Sequence, residues 1–450
     1  MLTALFLTII SIYLLVALYF ASKNNWKTIA FFLIAVTFQN IIEIIFAPYV
    51  SSALIKIFSI IKELMLYSAL GIIILRRNKI RLRAKSIWAF AYILFVLLNT
   101  IKSSASFYAI VISLRFLLMP VICILIGEYL DIDLYGLKKI YHWILATSTF
   151  LAFTGIWGLA FNRNNELWDR LHYADFATNI KGNTTETLIN HVTVNFYTWD
   201  FGGVPFKRLI SITADPLAAA FLIYLGAALV LTGCVRINAS RGKINKNALT
   251  FVFLLLCAIL SLSKAIFIFI ILTILLRIYF SGKIPKEITH TILVVIFAIG
   301  IFIVALIAGS DAYNSSSIHV SALMNGFISS SFLGNGLGTA GATMQMLSGE
   351  EADVGDSFIG ALTVQVGYLG LISFCLYLLV ILNDIRMQWK RHHTDILLLA
   401  MIILTGLSVC MLFSESAVSI MGTGIYFMMI GIAENTSEGI SKCDGRNYSG

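Results

Sequence analysis

Charge is what this 450-residue chain has least of: Asp, Glu, Lys and Arg make up 12% of it, about half the roughly 25% of soluble domains. With 59% hydrophobic residues, that shortage excludes a soluble globule, since one core cannot hide so much apolar surface. Cysteine is absent from the long polar segments. The six (Cys123, Cys234, Cys257, Cys375, Cys410, Cys443) lie in apolar runs, at a run's end or in the tail, so no disulfide or zinc framework is implied. No basic residue precedes Lys23, and the first apolar run is too long for a signal-peptide core, so it reads as a retained first helix. No G-x-x-x-x-G-K-[ST] pattern occurs, which argues against coupling to ATP. No internal repeat stands out, which weakens a transporter built from two related halves.

What fills the chain is apolar runs of about 20 residues, the length of a bilayer crossing. They predict an all-α polytopic membrane protein with spans near 2–22, 28–47, 53–75, 86–101, 105–130, 140–161, 214–234, 248–261, 264–280, 288–309, 357–382, 395–413 and 416–433. The short pair 248–261 and 264–280 reads as two spans or as one bent hairpin, giving 12 or 13 transmembrane helices. Of the 32 lysines and arginines, 22 fall in one set of alternate connections, and the positive-inside rule puts that set in the cytoplasm. The net charge of +9 therefore orients helices, and no nucleic-acid partner is expected. The chain divides into N-terminal spans (1–161), a large external loop (162–213), central spans (214–309), a second external loop (310–356), C-terminal spans (357–433) and a cytoplasmic tail (434–450). The two long loops are where function is expected.

The first loop runs into span 7 through Arg208-Leu-Ile-Ser211-Ile-Thr-Ala-Asp215-Pro216. Asp215 suits an N-cap and Pro216 the first helical turn, placing Arg208 over a helix N-terminus. Two readings are open for it, a receptor for phosphate oxygens or a snorkelling interfacial cation. The second loop holds His319, a general base or a solvated surface residue, and Gly334-Asn-Gly336-Leu-Gly338-Thr-Ala-Gly341, whose N–H groups line a ligand or merely form turns. Asp356, where that loop enters span 11, is either a carboxylate for a sugar hydroxyl or a cap. Arg115 and Lys264 are embedded cations, which cost enough in a bilayer to argue for use; Glu43 or Glu63 is the structural alternative partner. Trp157, Trp168, Tyr173, Tyr197 and Trp199 offer either stacking surfaces for sugar rings or interfacial anchors.

The order of these elements resembles the O-antigen polymerase and ligase superfamily of bacterial inner-membrane glycosyltransferases. The resemblance rests on Arg-Leu-x-Ser-x-x-x-x-Pro (208–216), Ser-Leu-Ser-Lys (261–264), Gly-x-Gly-Leu-Gly-Thr-Ala-Gly (334–341), and Asp356-Ser357 followed by Gly367 and Gly370. It implies undecaprenyl-diphosphate-linked oligosaccharides as substrates, transfer on the periplasmic face of the inner membrane, and neither metal nor cofactor. In that scheme Arg208 is the loop arginine. Lys264 replaces the arginine more usual after Ser-x-Ser, keeping its charge and losing its fork. Asp356 or His319 receives the acceptor's proton. Ser211, Gly336, Gly338, Arg115 and Trp199 join Lys264 in binding substrate. Ligases carry His-Asn at 356–357 and polymerases tolerate Asp-Ser, so the resemblance favours a repeat-unit polymerase for O-antigen, capsule or exopolysaccharide, with a chain-length regulator and a flippase as partners. A ligase to lipid A core and a glycolipid flippase are the alternatives.

Overall fold

A computed structural model describes residues 2–76, 84–162, 164–182, 188–198, 205–235, 246–281, 311–341, 354–355 and 357–444. The chain is all-α. Six long helices come first: α1 (Leu2–Lys23), α2 (Trp26–Phe46), α3 (Ser52–Arg76), α4 (Ala84–Lys102), α5 (Phe107–Tyr129) and α6 (Leu134–Phe161). A small cap follows, with α7 (Glu166–Arg170), α8 (Tyr173–Asn179) and two antiparallel two-residue pairings, β1 (Leu188–Ile189) with β2 (Val192–Thr193) and β3 (Tyr197–Thr198) with β4 (Phe206–Lys207). Then come α9 (Pro216–Thr232), α10 (Lys246–Leu260), α11 (Lys264–Ser281), α12 (Asp311–Ser329), α13 (Phe358–His392), α14 (Asp395–Phe413) and α15 (Ile420–Asp444). Among the described residues eight helices, α1–α6, α13 and α14, are long and apolar enough to cross a membrane, and α9 and α10 are shorter apolar helices. The chain is thus a multi-pass membrane protein. The expected span 288–309 lies outside the described residues.

The helices begin where short polar side chains satisfy their orphan N–H groups. Asn25 Oδ1 accepts from Lys27 N at 3.0 Å, Asp133 Oδ1 from Gly136 N at 2.7 Å, and Asp215 Oδ1 from Leu217 N at 2.9 Å and Ala218 N at 3.1 Å. Most side chains of α9 and α14 are buried and none is exposed, so these two form the centre, while α1 lies at the rim. α15 packs most extensively against α5. There the backbones nearly touch: a Cβ at Gly127 would lie 2.0 Å from the Met428 carbonyl oxygen, and one at Gly431 2.0 Å from that of Ile124.

The segments assigned to the outside by charge share one end of the bundle. Asn40 Nδ2 at the end of α2 donates to Thr213 O at 2.7 Å, and Ser357 Oγ to Leu412 O at the end of α14 at 2.7 Å. At the opposite end Asn24 Nδ2 donates to Asp131 Oδ2 at 3.1 Å, and Asn435 Nδ2 to Leu130 O at 2.9 Å. There Lys85 Nζ lies 3.0 Å from Glu128 Oε1 and 2.8 Å from Glu434 Oε2, all three buried.

Two expectations change. The segment 310–356 is not a continuous loop: its first part is α12, which packs on α13 so closely that a Cβ at Gly326 would lie 2.4 Å from Gly360 Cα. The run 357–382 is not one straight span either. Gly367 has φ +83° and ψ 175°, a left-handed-side conformation that suits glycine. The rings of Phe358 and Phe374 are 5.8 Å apart, whereas 16 residues of straight helix would separate them by about 24 Å. Residues 358–366 therefore form an arm folded back against the rest of α13.

Candidate active site

The cap delivers the first motif. Its core is aromatic: Trp168, Tyr173, Phe176 and Phe196 are buried against one another in edge-to-face and tilted contacts, with ring centroids 4.9–6.0 Å apart. Pairing of Tyr197 with Lys207 then holds the chain so that Arg208 N donates to Phe196 O at 2.9 Å. One residue on, Leu209 N donates to Leu260 O at 2.9 Å, at the tip between α10 and α11, and the Leu209 side chain is buried against Gly155 of α6. Residues 208–215 thus form a strap tied to α2, α6 and the α10–α11 tip, ending in the Asp215 cap of α9.

Arg208, half-buried, and Lys264, exposed at the start of α11, are carried on two segments that this backbone hydrogen bond joins. Two further cap cations lie close by. Burial lowers the Lys207 pKa to about 8, and its ammonium donates to Asn162 O. Burial also works against the charge of Lys181, but Tyr173, Asp215 and Glu43 outweigh it and raise its pKa.

Other predicted residues are spent inside the protein. Ser211 is buried, sharing a hydrogen bond with Thr154 Oγ1 at 2.5 Å, so its hydroxyl is turned into the α6 contact and not toward a ligand. Gly336 N donates to Gln365 O at 3.2 Å and Gly338 N to Gln365 Oε1 at 2.9 Å. These glycines let the turn lie on the α4–α5 junction: a Cβ at Gly336 would be 2.8 Å from Ser103 Cα. Trp168, Tyr173 and Tyr197, read either as stacking surfaces or as interfacial anchors, are neither: they are buried in the cap, because a unit this small needs their area for a core. Trp157 is exposed on α6 beside Phe161. Trp199 and Asp356 lie outside the described residues. Ser357, next to Asp356, caps α13 by accepting from Gly360 N at 3.0 Å. His319 is half-buried on α12, one turn before Ala322, whose carbonyl lies against Gly360.

Arg115 pairs with Glu63, the second of the two carboxylates weighed for it. Both line a cavity of about 180 Å³ between α3, α5 and the start of α15, together with Lys62, Tyr67, Phe116 and Met421. Phe116 also borders a smaller cavity formed by Ser113, Gly341, Gln365 and Glu415. Glu415 sits in a 3-10 turn, and a Cβ at Gly341 would lie 2.3 Å from its Oε1, so it closes on the end of the glycine turn. Its adjacency is set by tertiary packing alone, and nothing in the local sequence marks it.

The arrangement puts cations, a helix N-terminus and an aromatic-cored cap at one end of an apolar bundle, which suits an anionic head on a lipid. No family model matches the sequence, and no curated protein is similar to it.

Proposed function

We propose that the chain is an inner-membrane polymerase that transfers undecaprenyl-diphosphate-linked oligosaccharide repeat units onto one another on the periplasmic face. The observation that carries this reading is the joining of the Arg208 strap to the Lys264 hairpin through Leu209 and Leu260. As the anomeric C–O bond of the donor breaks, negative charge grows on the diphosphate, and the cations Arg208 and Lys264, carried on the two joined segments, stabilise it. The attacking hydroxyl of the acceptor gives its proton to Asp356 or His319. Lys264 contributes point charge and Arg208 the bidentate fork.

The test is synthesis by the purified full chain in detergent. Wild type given labelled lipid-linked repeat units yields longer lipid-linked products without an ion gradient, and Arg208→Ala at equal protein level yields none. Full-length chains from Arg208→Ala would reject the reading.

A second reading, a transporter of the same glycolipids, is favoured by one observation: Lys62, Glu63 and Arg115 are charged within spans, where transporters place coupling groups. A transporter moves repeat units between leaflets and makes no longer product, so the same assay separates the two.

A further inference from the structure

Arg115 and Glu63 sit well inside α5 and α3, where ionised groups are costly and mark function by default. Their mutual ion pair does not use up their capacity. Arg115 keeps 26% of its side chain exposed, against 4% for Glu63. Arg115 Nε and Glu63 Oε2, both buried, have no hydrogen-bond partner among the described residues. A guanidinium has five N–H donors and a carboxylate about four lone-pair sites, so the pair keeps hydrogen-bonding capacity beyond its own contact, and the exposed part of the Arg115 side chain is what an occupant meets first. The cavity they line, about 180 Å³, is far larger than the ~10–15 Å³ one water occupies on that measure. Its remaining wall is largely apolar, with Leu66, Phe116, Met119, Ile122, Ile420 and Met421.

Charge decides the class of occupant. Lys62 Nζ donates to Ser59 O at 2.7 Å and lies 3.8 Å from Glu63 Oε1. Glu43, held by Gln39 Nε2 at 3.0 Å, acts electrostatically on Lys62. Lys181 of the cap, which also acts on Glu43, is matched by Asp215. By formal count the cluster holds two acids, Glu43 and Glu63, and two bases, Lys62 and Arg115. An anionic or cationic head entering it would bring an uncompensated charge into a low dielectric. A neutral head with neighbouring hydroxyls accepts from the guanidinium and donates to the carboxylate at once.

We propose that the cavity between α3, α5 and the start of α15, lined by Arg115 and Glu63, binds a neutral polyhydroxyl group. The apolar wall makes the preferred source the headgroup of an amphiphile, with its chain along Phe116, Met119 and Ile122. The inference rests on no reading of the reaction and stands whether or not the chain is a polymerase.

The experiment is equilibrium binding to the full chain in phosphatidylcholine nanodiscs, with labelled octyl glucoside, glucose and octyl phosphate as probes. Octyl glucoside is expected to bind saturably at one site per chain. Arg115→Met/Glu63→Leu, which replaces the pair with apolar residues of similar size and so leaves no stranded charge, is expected to weaken it about tenfold or more. Met421→Trp, which fills the cavity with all charges intact, is expected to do the same. Equal binding of glucose would keep the polyhydroxyl site and make free sugar its source. Tighter binding of octyl phosphate overturns the proposal in favour of an anion site. Absence of a saturable octyl glucoside component, or its persistence in both variants, also overturns it and leaves water as the cavity's occupant.

Discussion

The backbone N–H of Leu209 donates to the carbonyl of Leu260 across 2.9 Å, and through it the cap strap and the α10–α11 tip become one support. Leu209→Pro has no N–H to donate, so it is expected to part the strap from the tip and abolish product formation by the purified chain while leaving the helical content unchanged, read from labelled products and from circular dichroism. Wild-type product from Leu209→Pro would remove the support for a shared diphosphate site.

A second prediction concerns the intramembrane ion pair. Arg115→Met alone leaves Glu63 with only the longer contact to Lys62, 3.8 Å away, and is expected to cost about 3 kcal/mol. Adding Glu63→Leu should recover most of it, since both partners are then gone. Thermal unfolding of the four members of the cycle in one detergent measures the coupling; additive losses would mean the two residues do not interact.

The buried triad at the opposite end behaves differently because it holds two acids and one base. Lys85→Met leaves Glu128 and Glu434 together without a cation and is expected to destabilise by about 3–5 kcal/mol. Glu434→Gln leaves a one-to-one pair of Lys85 with Glu128, so its cost should be far smaller. Equal losses in the two variants, measured by the same unfolding assay, would show that charge balance does not govern this cluster.

The cap carries a pH signature. Lys207 has a folded pKa of about 8 against an ordinary 10.5. Between those values the unfolded chain holds a proton that the folded cap has released, so stability rises with pH across about 8 to 10.5. Below that window Lys207 is charged in both states and the slope vanishes. Limited proteolysis within 162–213 should slow from pH 8 to pH 10, and Lys207→Met should flatten the trend.

How much of this was legible in the sequence depends on the range of the interaction. Asp215 and Pro216 announce the start of α9 because a cap and a first turn are local. The apolar runs locate most described helices to within a few residues, and the alternation of charge groups the connections that share an end. What a bilayer removes is the contrast between inside and outside, since lipid is as apolar as a core. That is why α9 and α14, the centre, look no different in sequence from α1, at the rim. The serine-rich stretch after Asp311 reads as loop, and α12 exists there because Gly326 and Gly360 allow it to pack on α13. Local chemistry left Arg115 open between Glu43 and Glu63, and only the packing of α3 on α5 decides for Glu63. The cap aromatics look like a sugar platform until one asks what else could fill the centre of so small a unit.

The glycine contact between α5 and α15 sets an order of events during synthesis. Gly127 and Gly431 meet across some 300 residues of chain, so α5 lacks its main neighbour until α15 has been translated. Glu434 reaches Lys85 and Glu128 only with α15, so the step that covers the α5 groove is also the step that adds a second carboxylate to the interior. A chain truncated before α15 would carry the rest of its helices with an uncovered backbone groove on α5, a ready mark for the quality control of the membrane.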